Sequence, residues 1–163
     1  MDKSLDITFK HFEPSILVGY PTILHVSTLK EMIPILWNQL RASAEQITNK
    51  KMPVQCIGLE FYPFDIKNTG YFYYMPSFIV NDLSVIPANM CAKTIEGGLH
   101  AVFTHKGSTE TLGTTFDYIY QDWMPNNKEY EQSSNYDFEW YDERFKGMDP
   151  SSELEIWVPV KKK

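Results

Sequence analysis

Only two cysteines occur among the 163 residues. Cys56 and Cys91 are too few for a disulfide framework and lack C-x-x-C spacing, which fits a reducing compartment, and both read as small core residues. Positive charge is also scarce. Fifteen Lys and Arg stand against 21 Asp and Glu, for a net charge of −6 and a pI near 5.2. No basic stripe exists outside the solvated tail Lys161 to Lys163, so direct binding to a nucleic-acid backbone is not expected. Long apolar runs are missing too: the stretch Ile16 to Leu24 is broken by Gly19 and Pro21, and Met1-Asp2-Lys3 leads into no apolar signal region. Neither a membrane span nor a secretory leader is therefore expected, and the cytoplasm is the expected location. His11, His25, His100 and His105 show no H-x-x-x-H pairing and no acid at ligand spacing, so no metal site is expected. The chain contains no G-x-S-x-G, Walker or dinucleotide glycine pattern, and no cofactor is expected.

What the chain does have is rings. Aromatic residues make up 15% of it, against an ordinary 43% hydrophobic and 22% charged, and rings in that quantity often line a ligand pocket. The length suits a single domain over 1–163. Ile7 to Phe12 alternates as a strand, turns at Glu13-Pro14-Ser15 and continues as a strand from Ile16 to about His25. Ile33, Leu36, Leu40, Ala44 and Ile47 then recur at helical spacing. They predict a helix from near Met32 to near Asn49 with Pro34 in its first turn. Val54 to Tyr62 and Tyr71 to Val80 read as strands, and Asn81 to Pro87 links them to the second half of the chain.

That second half repeats the order of the first. Strands are predicted at Met90 to Ile95 and Leu99 to His105 around a turn at Glu96-Gly97-Gly98. A helix then runs from about Thr109, capped by Ser108, to Trp123 before Met124-Pro125. One constant offset lays Phe12-Glu13-Pro14-Ser15 on Ile95-Glu96-Gly97-Gly98, Ile33, Leu36 and Leu40 on Phe116, Ile119 and Trp123, and Pro76 on Pro159. A slightly shorter offset lays Leu59-Glu60-Phe61-Tyr62 on Phe138-Glu139-Trp140-Tyr141, as loops vary between duplicated units. The expectation is a pseudo-twofold α+β fold, β-β-α-β-β twice (repeats about 6–80 and 88–160), with an antiparallel sheet, two helices and a central groove. Glu60 is the symmetry mate of Glu139, though a surface position is expected for it.

Acids and rings meet most densely between Tyr136 and Val160. Strand alternation puts Glu139 and Tyr141 on one face and Phe138 and Trp140 on the other. On the last strand Leu154, Ile156 and Val158 face one way, and Glu155 and Trp157 the other. Glu143 to Ser152 has the turn chemistry of the connecting loop. A carboxylate among rings favours organic cations, since its ionised form is costly unless a cation or donor meets it. Glu139 is the first candidate and Glu155 the second. Both faces of the fourth strand are apolar, with Tyr71, Tyr73 and Met75 opposite Phe72, Tyr74 and Pro76; one face must be core, and Tyr71 and Tyr73 are candidates for a pocket wall. Trp37, Phe116, Tyr120 and Trp123 read as core.

In these residues the chain resembles a stand-alone member of the GyrI-like family, related to the DNA gyrase inhibitor and to effector domains of multidrug-responsive regulators. The resemblance rests on Ala101-Val102-Phe103-Thr104-His105-Lys106-Gly107, Asp122-Trp123-Met124-Pro125, Phe138-Glu139-Trp140-Tyr141-Asp142-Glu143 and Ile156-Trp157-Val158-Pro159-Val160. It implies a duplicated strand-helix-strand-strand fold with an aromatic groove, and a buried glutamate, here Glu139, that meets hydrophobic, cationic or planar ligands beside Tyr141 and Trp157. It also implies two alternatives. One is a hydrolase of strained electrophilic toxins such as cyclopropanoids, with Glu139 or Glu155 catalytic. The other is a module of gyrase-inhibitor type that meets a protein partner through the acidic segments Asn126 to Ser133 and Asp142 to Asp149. No helix-turn-helix fits the sequence, so direct transcription control by this chain alone is not expected.

Overall fold

The computed structural model describes residues 5–163. Among them the strands are, in chain order, β1 (Asp6–Phe12), β2 (Ser15–Gly19), β3 (Thr22–His25), β4 (Cys56–Phe61), β5 (Tyr71–Val80), β6 (Cys91–Ile95), β7 (Gly98–Lys106), β8 (Tyr130–Gln132), β9 (Tyr136–Tyr141) and β10 (Glu153–Lys162). The α-helices are α1 (Leu29–Ala42), the single turn α2 (Ile66–Thr69), α3 (Leu112–Asp117) and the short α4 (Met124–Asn126). The fold class is α+β with antiparallel pairing and two main helical segments, as the sequence predicts. No helix among the described residues is long and apolar enough to cross a membrane.

These elements form two compact units, one of Glu13–Gly97 and the other of Met1–Phe12 with Gly98–Lys163. Each sequence repeat therefore lends its first strand to the other repeat's unit. In the Glu13–Gly97 unit the strand order is β6-β2-β5-β4, with β3 also on β5. In the second unit it is β1-β7-β10-β9, with β8 also on β10. The four-strand cores match strand for strand, so the duplication seen in sequence is present in topology, whereas β3, before α1, and β8, after the second helical segment, do not correspond.

α1 begins earlier than its sequence suggests. A 3-10 turn, Val26–Thr28, precedes it, with the His25 side chain accepting from the Ser27 N–H. Leu29 and Met32 add a turn to the apolar face that packs on Leu24, Phe72 and Tyr74. Burial of that extra turn outweighs the hydrogen bond that Pro34, now inside the helix, cannot donate. The helix also stops at Ala42 rather than near Asn49. Ser43 receives a hydrogen bond from Tyr20 Oη at 2.9 Å, and a 3-10 turn at Ala44–Gln46 delivers Ile47 to the core.

The second helical segment starts where expected, with Ser108 Oγ accepting from the Glu110 N–H at 3.2 Å. It is not one α-helix. After α3 the chain widens into a π-helix over Tyr118–Trp123, a geometry uncommon enough to mark a locally imposed packing demand. Tyr118, Tyr120 and Trp123 all pack on the core of Phe103, Ile119, Leu154 and Ile156, which a uniform helical period would not allow. The predicted strand Ile16 to His25 is likewise split at Tyr20-Pro21. Gly19 sits at this corner because β2 and β5 approach closely: a Cβ there would lie 2.0 Å from the Pro76 carbonyl oxygen.

Candidate functional site

The pairing of β9 with β10 decides which side chains meet. Ile156 stands opposite Glu139, and Trp157 opposite Phe138. Directly opposed residues project to the same side of an antiparallel pair. Glu139, Tyr141 and Asp137 therefore share the side of Leu154, Ile156 and Val158, which is the side covered by the second helical segment. Trp157 and Glu155 project to the other side with Phe138 and Trp140. The expectation that Trp157 flanks Glu139 does not hold, because a strand residue and its diagonal neighbour of opposite parity cannot face the same way.

On the helix-covered side Glu139 is only 1% exposed. Tyr141 Oη donates to Glu139 Oε2 at 2.7 Å, and the Tyr141 ring stands edge-on to Phe145 with centroids 4.6 Å apart. Asp137, two residues earlier and fully buried, takes a short hydrogen bond from Tyr120 Oη. One strand face thus carries two buried carboxylates, each held by a phenol. A carboxylate so fixed has a defined orientation in a weakly polar surrounding, where a cationic partner counts for more than it does in water.

The Glu13–Gly97 unit repeats the device. Glu60 is 7% exposed and accepts from Tyr62 Oη at 2.5 Å. Tyr74 stands opposite Glu60 and its hydroxyl accepts from Trp37 Nε1 at 2.8 Å. The surface position expected for Glu60 is corrected by this burial: alternation selects the right side of the strand, but that side is covered by α1. Both pairs have the form Glu-x-Tyr, since residues two apart on a strand share a face.

Glu155 is held differently. Lys10 Nζ reaches its Oε1 at 2.9 Å, Arg144 reaches the same oxygen at 3.1 Å, and Trp157 Nε1 donates to Oε2 at 2.9 Å. Burial alone would raise its pKa, but the hydrogen bonds from Lys10 and Arg144 outweigh that and hold it below the usual glutamate value. Lys10 Nζ also lies 5.3 Å from the Trp157 ring centroid. The cation that Glu155 and Trp157 are expected to attract is thus supplied by the chain itself. Behind them Phe138 stacks on Trp157 at 5.6 Å and 17°, with Phe12 and His100 against the same ring.

Tyr71 and Tyr73, on β5 of the other unit, are 52% and 47% exposed. Tyr71 packs on His25 and Tyr73 on Phe61, with Lys93 Nζ 5.1 Å from the Phe61 ring centroid. Sequence reasoning does not single out Tyr62, Asp137, Lys10 or Arg144. The first two are legible from the Glu-x-Tyr repeat and from strand parity; Lys10 and Arg144 lie too far from Glu155 in sequence to leave a local signal. The acidic segments are partly structural: Asp142 accepts from Arg144 Nε on Oδ1 and from Arg144 Nη2 on Oδ2, Asp149 accepts from the Ser151 N–H, and Tyr130–Gln132 pairs with β10 as β8.

A model of the GyrI-like small-molecule-binding domain matches residues 5–161. The transcriptional regulator BrlR of Pseudomonas aeruginosa is 29% identical over 126 residues, which is 77% of this chain and 45% of BrlR, so the chain spans less than half the length of that relative. Among solved structures, SAV2435 bound to tetraphenylphosphonium is similar at a TM-score of 0.74 and 17% identity, covering 96% of this chain and 94% of that one. The EcmrR C-terminal domain is similar at 0.72 and 20%, over 98% and 99% of the two chains. A hydrolase encoded by lin2189 from Listeria innocua is similar at 0.57 and 12%, over 95% and 91%. These structural likenesses show the shared fold.

Proposed function

The chain belongs to the GyrI-like small-molecule-binding domain family, and from that premise we propose that it captures hydrophobic, planar or cationic small molecules with Glu139 as their counter-charge. The observation that carries this is the Glu139–Tyr141 pair: a carboxylate 1% exposed, oriented by a phenol at 2.7 Å, on a strand face lined by Ile156 and aromatic side chains. An organic cation satisfies such a carboxylate without the dehydration cost of a metal ion. Each ring well placed against it adds about 0.5–2 kcal/mol, and apolar burial adds roughly 25 cal/mol per Å². Tetraphenylphosphonium, the ligand of SAV2435, has this chemistry. Glu155 and Trp157 are not part of this reading, because Lys10 and Arg144 already occupy them. Tyr71 and Tyr73 belong to the other unit and are not needed by it.

A hydrolytic reading has one observation in its favour, the two carboxylates Asp137 and Glu139 on the same covered face. Paired acids of this kind suit water activation at a strained electrophile. Glu155, held ionised by two cations, is a poor proton donor at neutral pH.

Titrating the protein with tetraphenylphosphonium while following tryptophan fluorescence tests the binding reading. Saturable quenching that Glu139→Ala abolishes is expected; no response, or the same affinity in the variant, overturns it. Incubation with a cyclopropane-containing compound and mass spectrometry for an added water separates hydrolysis from binding alone.

A further inference from the structure

A cleft of about 460 Å³ opens in the second unit between β1, the end of the π-helix and the turn before β8. It lies on an outer strand, β1, which pairs only with β7 among the described residues. Its floor is apolar and aromatic: Ile7, Phe9, Trp123 and Tyr130. Phe9 is 44% exposed yet ordered against two rings, Tyr130 at 4.6 Å and Trp123 at 6.4 Å between centroids. Trp123 in turn is wedged edge-on against the buried Phe103 at 5.0 Å. Trp123 is the last residue of the π-helical turn Tyr118–Trp123.

The rim carries one charge of each sign. Lys128 and Glu129 both line the cleft, both are exposed, and neither makes an ion pair among the described residues. The turn that presents them is built in advance. Asn127 N–H donates to the Trp123 carbonyl at 3.0 Å, Asn127 Oδ1 accepts from the N–H groups of Glu129 and Tyr130 at 2.9 and 2.8 Å, and Lys163 N–H donates to the Glu129 carbonyl at 3.0 Å. An aromatic floor with an ammonium and a carboxylate at its edge matches a ring that carries both a carboxylate and an ammonium. Each charged group of such a ligand then meets its opposite, while its ring covers the exposed face of Phe9.

We propose that this cleft is a second small-molecule site, separate from Glu139, that takes aromatic α-amino acids, with the ring on Phe9, Trp123 and Tyr130, the carboxylate on Lys128 and the ammonium on Glu129. The volume admits a fused or single ring with its backbone atoms. No residue of this site is shared with the Glu139–Tyr141 pair, so the inference stands or falls independently of the proposed cation capture.

The test is saturation-transfer NMR with L-phenylalanine on the full chain, alongside 3-phenylpropanoate, which lacks the ammonium, and 2-phenylethylamine, which lacks the carboxylate. Phenylalanine is expected to bind in the millimolar range, each analogue several-fold more weakly, and Phe9→Ala and Lys128→Ala to lose at least several-fold in affinity. Both substitutions are at exposed positions, so folded protein is expected, and an unchanged circular-dichroism spectrum and melting transition in each confirms that the rest of the molecule is intact. Absence of phenylalanine binding, equal binding by the analogues, equal binding by Phe9→Ala, or displacement of phenylalanine by tetraphenylphosphonium overturns the proposal.

Discussion

Glu139 and Trp157 stand on neighbouring strands and point to opposite sides, because Ile156 faces Glu139 across the β9–β10 pair while Trp157 faces Phe138. The two sides have different work. One holds an acid oriented by a phenol; the other holds an acid already neutralised by Lys10 and Arg144.

From this division, Glu139→Gln is expected to weaken tetraphenylphosphonium binding by roughly 2–5 kcal/mol, the usual consequence of removing one partner of a desolvated charge pair. Trp157→Phe is expected to leave affinity within a few-fold but lower the melting temperature, since the indole packs on four rings and donates to Glu155. Titration calorimetry and thermal denaturation of both variants check this. Equal loss of affinity in the two would place the ligand on the Trp157 side instead.

The Glu155 cluster predicts an acid-dependent contribution to stability. Its carboxyl titrates below its ordinary value in the folded chain, where the hydrogen bonds of Lys10 and Arg144 outweigh burial. The unfolded chain therefore binds the proton first as pH falls. The stabilisation is fully present above the unfolded value of 4.5 and is lost as pH drops through the lower folded value. Glu155→Gln should be less stable than the parent at neutral pH, with the gap closing on acidification below that range. Urea midpoints across a pH series measure it; a gap independent of pH would mean that the side chain acts through packing rather than charge.

Most of the strand plan was legible because alternation and turn residues are local signals. Strand spacing, the duplication and the Glu139–Tyr141 pairing could be read from period and offset alone. The side on which each strand face is covered was not legible. Glu60 alternates like a surface acid, and only α1 above it makes it buried. The exchange of β1 and β6 between units left no mark in sequence, because strand pairing partners are chosen by tertiary contacts. The π-helix escaped for a similar reason: Phe116, Ile119 and Trp123 fit an ordinary helical period, and the demand that Tyr118 and Tyr120 also reach the core arises only in the packed molecule. Lys10 and Arg144 became partners of Glu155 through β1 and the loop before β10, across separations that no local pattern spans.

His100 supplies a second pH signature, in a different window. Burial pushes its pKa below the ordinary 6.5; the hydrogen bond to the Gly98 carbonyl works against this and the nearby His11 works with it. The ring is packed between Phe12, Phe138 and Trp157, and its Nε2 meets Tyr136 Oη at 3.3 Å. The unfolded chain takes up this proton first, so stability should decline as pH falls below 6.5. His100→Asn should be less stable at neutral pH but show a flatter dependence through that window. Equal slopes in the two proteins would assign the dependence to other groups.

Glu60 repeats the Glu139 arrangement in the other unit, with Tyr62 as its donor at 2.5 Å. If duplication left a functional acid only in the second repeat, Glu60→Gln should bind tetraphenylphosphonium within a few-fold of the parent, whereas Glu139→Gln should not. The stability test separates structure from function in the same variants. Gln keeps an acceptor for the Tyr62 hydroxyl, so Glu60→Gln is expected to cost little. Tyr62→Phe removes the donor and leaves a buried carboxylate with one hydrogen bond fewer, at a cost of about 1–3 kcal/mol. Tyr141→Phe should destabilise by a similar amount and also weaken the ligand, because it loosens the carboxylate that the cation must meet. Calorimetry of the four variants decides the matter: a stoichiometry of two that Glu60→Gln reduces to one would show that each repeat holds its own ligand, and that the acid of the first repeat has kept its function.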